Sequence, residues 1–161
     1  MEFLKTDNIQ LRELMREMDH RRSFIYYASG IVPANSSTTV QVNITAEAAF
    51  HCQCFTGSFT TLGAGGADDG VNHLSCKLSD SGRSITLFSD FIPLSLFLSP
   101  GRRRTSAVAG DAGNQLFFPV EFDYTFAPVS TIVLDLKNDS ATDNTFEWAF
   151  LGEKLFVDVI N

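Results

Sequence analysis

The chain has 161 residues, the length of one domain, and its 44% hydrophobic content allows a buried core without disulfides or metal ions as staples. Its 19 acidic residues outnumber 12 basic ones, and the net charge of −7 argues against nucleic-acid binding, which needs a surplus of Lys and Arg facing phosphates. The odd number of cysteines, three, favours free thiols. The polar N-terminus and the lack of a long apolar run predict synthesis in a cytoplasm, with no secretory signal and no membrane partner.

Residues 7–20, DNIQLRELMREMDH, predict an amphipathic helix. Four apolar side chains recur at helical spacing and form one stripe: Leu11, Leu14, Met15 and Met18. Asp7 and Gln10 have the spacing of a capping box, and the basic residues at 20–22 complement the helix dipole. We therefore assign residues 1–22 to an N-terminal helical arm. Its stripe packs either on the chain's own sandwich or on a partner, and the sequence leaves both alternatives open.

From Ser23 onward the period of the apolar residues changes to two. Eight segments rich in β-branched and aromatic residues predict strands: 23–32, 38–45, 49–56, 71–80, 84–94, 120–126, 130–138 and 144–157. Turn signals separate them, and two longer loops are expected at 57–70 and 99–115. The pattern predicts a mainly β fold for residues 23–161, a two-sheet β-sandwich of the jelly-roll type.

The segment AAFHCQCFTG at 48–57 raises the possibility of a metal or redox site. In a regular strand, Cys52 and Cys54 share a face with Phe50, whereas His51 and Phe55 lie on the other face. A structural zinc site needs four converging ligands, and a C-x-C pair along an extended strand splays its sulfur atoms apart. We therefore predict buried structural thiols, with no metal and no other cofactor.

Other candidate chemistry is weak. The three histidines are scattered, and no nucleophile-elbow, zinc-protease or phosphate-loop motif occurs, so we expect no enzymatic activity. The acidic segments 67–70 and 138–144 lack EF-hand spacing and are interpreted as turns rather than calcium sites. The loop 99–115 carries the densest positive charge, Arg102, Arg103 and Arg104. It is either a solvated loop or a contact for carboxylates of a neighbouring acidic subunit, since Arg pairs with planar anions, with phosphate a third alternative.

Three longer segments follow one another along the chain with a characteristic succession of strand and turn patterns: SFIYYASGIVPANSSTTVQVNI, LSDSGRSITLFSDFIPLSLF and FFPVEFDYTFAPVSTIVLDLKNDSATDNTFEWAFLGEKLF. In the last, an aromatic strand leads through PVST into an apolar strand, an Asn/Asp-rich turn and a strand ending in LGEKLF. This order resembles the jelly-roll virion proteins encoded beside the capsid genes of tailed bacteriophages. The glycine-rich loop 57–70 and the insertion GRRRTSAVAGDAG depart from that pattern.

The resemblance implies a non-enzymatic virion structural protein, such as a capsid decoration (cement) protein or a collar, tail or head-tail accessory subunit. Its expected partners are other virion proteins of the capsid, portal or tail, and its location is the virion after synthesis in the host cytoplasm. We expect a homo-oligomer because an edge-rich sandwich with a helical arm has surfaces to bury. The alternative is a receptor- or glycan-binding module of a tail or fibre, in which Trp148 or an exposed Tyr stacks on a sugar.

Overall fold

The computed structural model describes residues 21–100 and 119–156, with only the backbone for residues 99 and 100. Ten strands follow one another along the chain: β1 (Arg21–Val32), β2 (Ser36–Asn43), β3 (Ala48–Phe59), β4 (Leu74–Asp80), β5 (Ile85–Thr86), β6 (Ile92–Pro93), β7 (Ser99–Pro100), β8 (Val120–Phe126), β9 (Thr131–Asn138) and β10 (Asn144–Phe156). Two single 3-10 turns lie at Ala64–Gly66 and Leu94–Leu96. None of the helical segments in this described part is long and apolar enough to cross a membrane.

The strands form two sheets that pack face to face, as the sequence predicts. The first sheet has the order β1-β10-β3, with β8 and β7 both beyond β3, and the second has the order β2-β9-β4, with β5 and β6 both beyond β4. All pairs are antiparallel except the short β3–β7 pair. Successive long strands alternate between the sheets, so each connection crosses from one layer to the other.

Aromatic rings dominate the core between the sheets. Alternating strand positions point inward, and the largest side chains that are fully buried include Trp148, Phe50, Phe55, Phe126, Phe146 and Phe150. Trp148 stacks on Phe150 with ring centroids 5.6 Å apart, and Phe55 lies 5.2 Å from Trp148. Each buried Phe contributes about 1.5–3 kcal/mol relative to an exposed one, so this cluster is a main source of stability.

A β-bulge in β3 corrects the predicted facing of the HCQC segment. Gln53 pairs with neither neighbouring strand, since Cys52 and Cys54 sit opposite consecutive residues Gly152 and Leu151 of β10. The extra residue shifts the alternation by one position. Cys52 is buried and faces the core, as predicted, but Phe55 also turns into the core and Cys54 turns outward, where it is half-buried. The prediction that Cys54 shares a face with Cys52 is therefore wrong.

The bulge also explains one glycine. A Cβ atom at Gly152 would lie 2.0 Å from the backbone carbonyl oxygen of His51 and 2.9 Å from the Cα of Cys52. Contacts of that length with backbone atoms cannot be relieved by a rotamer change. Gly152 therefore lets β10 approach β3 at the point where β3 carries its extra residue.

Several predicted strand boundaries also need correction. β3 runs through Phe59 and β4 begins at Leu74, so the loop predicted at 57–70 spans residues 60–73. β1 begins at Arg21, two residues before the predicted start of the sandwich, so Arg21 and Arg22 belong to a strand and do not end a helix. The predicted strand 84–94 is broken into β5 and β6. The amides of Leu87 and Phe88 both donate to the single carbonyl of Leu78, at 2.8 and 3.1 Å, which ends the regular ladder. The predicted helix 7–20 lies outside the described residues.

A polar network fixes the loop 60–73 against the turn between β9 and β10. The Oδ1 atom of buried Asn144 accepts hydrogen bonds from the Thr60 hydroxyl at 2.9 Å and the Leu62 amide at 2.8 Å. Its Nδ2 atom and the Ser140 hydroxyl both donate to the Leu62 carbonyl, at 3.0 and 2.6 Å. Because these buried groups are paired, this end of the sandwich is held in one arrangement.

Candidate functional site

The residues singled out from the sequence as partner-binding lie outside the described part of the chain. These are Leu11, Leu14, Met15 and Met18 of the arm and Arg102, Arg103 and Arg104 of the loop. Their roles stay predictions. The candidate site is therefore built from the residues that the structure describes.

The thiols occupy structural positions. The Cys52 thiol donates to the carbonyl of Cys54 at 3.4 Å, and the Cys76 thiol to that of Lys77 at 3.4 Å. Burial raises the pKa of Cys52 to about 12, and burial also raises the pKa of Cys76. Both thiols are therefore protonated at neutral pH and are poor nucleophiles and metal ligands. Within residues 21–100 and 119–156, no three His, Cys, Asp or Glu side chains converge as a metal site requires.

The acidic turns use their carboxylates to hold the backbone. Asp68 accepts hydrogen bonds from the Thr61 hydroxyl and the Gly70 amide, and Asp143 accepts one from the Ala34 amide at 2.9 Å. The Val71 amide at 2.9 Å and the His73 imidazole together hold the pKa of Asp69 below its ordinary value. These contacts favour the interpretation of both acidic segments as turns.

The most unusual surface is the outer face of β1. This strand lies at the edge of the first sheet and, among the described residues, pairs only with β10. Tyr26, Ala28 and Val32 point into the core, while Ile25, Tyr27 and Ile31 point outward and are 58%, 56% and 60% exposed. A large apolar side chain contributes about 1.5–3 kcal/mol when buried, so exposing three of them on one strand forgoes a substantial stabilisation.

The apolar face continues onto the neighbouring strand. Leu151 of β10 sits opposite Ile25, and Ala149 sits opposite Tyr27; both are half-buried. We refer to Ile25, Tyr27, Ile31, Ala149 and Leu151 as the edge surface. Ser29 and its cross-strand neighbour Glu147 separate Ile31 from the apolar patch that the other four residues form. Apolar side chains beside an unpaired strand edge are typical of sites where another chain binds.

The other sheet supplies an internal comparison. β2 is also an edge strand, yet its exposed positions are all polar: Ser37, Thr39, Gln41 and Asn43. These neutral polar side chains leave no exposed apolar surface along the β2 edge. The two edges belong to the same sandwich and differ in exposed apolar area, which marks β1 as the edge suited to an apolar contact with a partner.

A shallow cleft lies on the same outer face. Its volume is about 360 Å³, and its polar lining consists of Ser29, Ser58, Thr60, Thr145 and Glu147. We call it the outer cleft. Tyr27 is the next outward residue on β1 after Ser29, about 7 Å along the strand. Trp148, which the sequence offered as a sugar-stacking residue, is fully buried and is not available on this face.

Sequence reasoning missed the edge surface, although a signal was present. The segment FIYYASGIV is apolar on both strand faces, a pattern typical of a strand buried on both sides. Local sequence does not tell where a strand lies in its sheet, so the conflict with an edge position emerges only from the topology.

Comparisons with known proteins assign the chain to no family. No model of a protein family matches the chain, and no curated protein matches it in sequence. The similar solved structures include a chain of the cyanophage Pam1 capsid asymmetric unit, with 11% identity and a TM-score of 0.44 over 84% of this chain and 86% of that chain. They also include Salmonella Typhimurium PliG, a periplasmic inhibitor of g-type lysozyme, with 12% identity and a TM-score of 0.33 over 79% and 86%. Both TM-scores lie below 0.5, so neither similarity identifies this chain.

Proposed function

We propose that the chain is a non-enzymatic structural protein of a tailed-bacteriophage virion, a capsid decoration or head-tail accessory subunit that attaches to a larger assembly. The virion assignment rests on the resemblance of the three sequence segments described above. Attachment is supported by one observation above all, the exposed apolar outer face of the edge strand β1. An unprotected edge of this kind promotes aggregation of a protein that acts alone, whereas in a subunit it provides an interface for assembly.

The proposal includes a jelly-roll topology for the sandwich. Four main strand positions in each layer follow the orders β1-β10-β3-β8 and β2-β9-β4-β5, and consecutive long strands lie in opposite layers. Two interlocked antiparallel layers of this kind are the arrangement expected of a jelly roll. The topology supports the sequence resemblance but does not by itself imply a function.

Attachment is tested by adding purified protein to particles that lack it and measuring co-sedimentation. We expect Ile25→Lys to reduce binding to particles about tenfold, because the new charge is desolvated when the edge surface is covered. Ile85→Lys is the matched control, since Ile85 is an exposed isoleucine of the second sheet. Equal binding by both variants would contradict a role of the edge surface in attachment.

The N-terminal arm is tested separately. A chain starting at Arg21 keeps β1 whole, whereas a start at Ser23 removes its first two residues. We expect this shortened protein to unfold in one cooperative transition and to lose particle attachment, and Leu14→Asp combined with Met18→Asp to have the same effect. A shortened protein that does not fold would show that the arm belongs to its own core; one that folds and attaches would show that the arm is dispensable.

A glycan-binding function is the second candidate, and the outer cleft favours it. The hydroxyls of Ser29, Ser58 and Thr145 and the carboxylate of Glu147 line the cleft beside exposed Tyr27, a combination suited to binding sugar hydroxyls and stacking on a sugar ring. The Thr60 hydroxyl also lines the cleft but is bound within the polar network. A glycan array with Tyr27→Ala tests this function, and Phe91→Ala, at an exposed aromatic on a loop, is the control. Binding lost only in Tyr27→Ala would support a receptor-binding module over a decoration protein.

A further inference from the structure

We propose that two copies of the chain pair through their β1 strands, antiparallel about a twofold axis at Ala28. The pairing joins the five-stranded first sheet of each copy into one continuous sheet. The inference deepens the proposed function, because it names a second copy of this chain as the partner that covers the edge of β1.

The strand geometry meets the requirements for such pairing. β1 has 12 residues and pairs with β10 from Arg21 opposite Leu155 to Val32 opposite Asn144 without a register shift. It contains no proline and no bulge that would twist the edge away from a partner. Its other edge pairs with no strand of residues 21–100 or 119–156, so it can accept a complete ladder of hydrogen bonds.

The distribution of side chains selects the register. With the axis at Ala28, the residue numbers of two facing residues add up to 56. Ile25 therefore lies opposite Ile31 of the second copy, and Tyr27 lies opposite Ser29 of the second copy. The twofold axis makes each contact twice, and the ladder covers residues 24–32. Outward residues meet outward residues, so the edge surfaces of the two copies merge into one apolar band across the joined sheet.

The inward side of this register is also favourable. Tyr26 lies opposite Gly30 of the second copy, so no side chain at that position obstructs the approach of the two strands. Phe24 lies opposite Val32 of the second copy, an aromatic and β-branched pair of the kind that stabilises antiparallel strands.

Neighbouring registers satisfy fewer of these contacts. An axis at Tyr27 places Ile25 opposite Ser29 and Ile31 opposite Ser23, which leaves both isoleucines without an apolar partner. An axis at Ser29 shortens the ladder to residues 26–32 and places Ile25 opposite Pro33, beyond the end of the strand. Ala28 therefore gives the longest ladder that also pairs the two isoleucines.

At each end of the ladder between the two β1 strands, a positive and a negative side chain come from different copies. The overhanging Arg22 lies opposite Ala34 of the second copy, whose amide is bound at 2.9 Å by the exposed carboxylate of Asp143. Each dimer brings two such Arg and Asp sites together, one at each end of the ladder. The pairing uses the free backbone edge of β1 in both copies and leaves the outward apolar band on the face of the joined sheet. Because the contact is twofold and isologous, it closes as a dimer and does not by itself propagate into a fibre.

Sedimentation velocity and cysteine crosslinking of the full chain test the proposal. At about 50 µM we expect a dimer, and we expect Ile31→Lys to raise its dissociation constant at least about tenfold while Ile85→Lys leaves it unchanged. In a Cys54→Ser background, an equal mixture of Ile25→Cys and Ile31→Cys chains should crosslink about tenfold faster than either variant alone, since directly opposed Cβ atoms lie about 5 Å apart.

Three results would overturn the pairing: a monomer of the full chain at that concentration, a dimer insensitive to Ile31→Lys, or Ile25→Cys chains that crosslink alone as fast as in the mixture. A dimer that forms only after removal of residues 1–20 would also overturn it, because the arm would then cover the edge in the same chain. Failure of the pairing is distinguishable from failure of the proposed function. A protein that attaches to particles as a monomer overturns only the pairing, and a β1 dimer that is absent from particles overturns only the virion role.

Discussion

Raising the pH above 9 should destabilise the protein through the thiol of Cys52. This side chain is fully buried, and burial, with a smaller contribution from the neighbouring Cys54, raises its pKa from 9.0 to about 12. The folded state holds the proton more tightly than the unfolded state. The stabilising contribution is therefore complete below pH 9 and is lost as the pH rises through 12.

The size of the effect follows from the pKa difference. One unit of pKa corresponds to about 1.4 kcal/mol, so ionisation of the unfolded thiol at pH of about 10.5 removes about 2 kcal/mol from the free energy of unfolding. Cys52→Ala abolishes this titration but loses about 1 kcal/mol of core packing at every pH. Wild type should therefore be more stable near pH 8 by about 1 kcal/mol, and the variant more stable near pH 10.5 by a similar amount.

The free energy of unfolding of both proteins is measured by urea unfolding in the presence of a reductant. The signal is the fluorescence of Trp148, which is buried and is the single tryptophan of the sequence. Other groups that titrate at high pH, such as Cys76 and Tyr124, are common to both and cancel in the comparison. A stability difference that is the same at both pH values would refute the account of Cys52 as a buried, protonated core residue.

Three further predictions concern the sandwich. Gly152→Ala should lower the free energy of unfolding, measured in urea, by at least about 3 kcal/mol. Gly30→Ala should lower it by less than about 1.5 kcal/mol, because the new Cβ atom would meet only the Phe146 ring, at 3.2 Å. Equal effects would contradict the close approach of the strands at the bulge. Lys154 is 6% exposed, and its Nζ atom lies 2.6 Å from Glu47. We expect Lys154→Met to change the free energy of unfolding by less than about 1 kcal/mol and Lys154→Ala to lower it by about 2–4 kcal/mol. The reverse order in thermal unfolding would show that the charge of Lys154 matters more than its packing. Asp69→Asn should speed amide exchange in the loop 60–73 at neutral pH, and the wild-type loop should loosen as the pH falls through the lowered pKa of Asp69; an unchanged exchange rate would contradict its anchoring role.

The sequence predicted most of the sheet structure because alternation is a local property. Val40 and Val42 alternate with Gln41 and Asn43, and this segment forms β2 with the expected face inward. The bulge at Gln53 was beyond prediction, because a bulge depends on how two neighbouring strands pair with β3 and not on the residues of β3 alone.

The candidate site was less predictable than the fold for a similar reason. The inward position of Trp148 was readable from the sequence, since Phe146, Trp148 and Phe150 recur at every second residue. The edge position of β1 was not, because sheet order is set by contacts between strands that are distant in the chain. Only the topology shows that Ile25 and Ile31 face outward from an unprotected edge.

The central claim is that this chain is a structural component of a virion. Quantitative mass spectrometry of gradient-purified phage particles, prepared from a lysate in which the gene for the chain is expressed, tests it most directly. The account predicts that the chain co-purifies in a fixed ratio to the major capsid protein and that Ile25→Lys lowers this ratio. Particles that are complete and infectious yet contain none of the chain would contradict it.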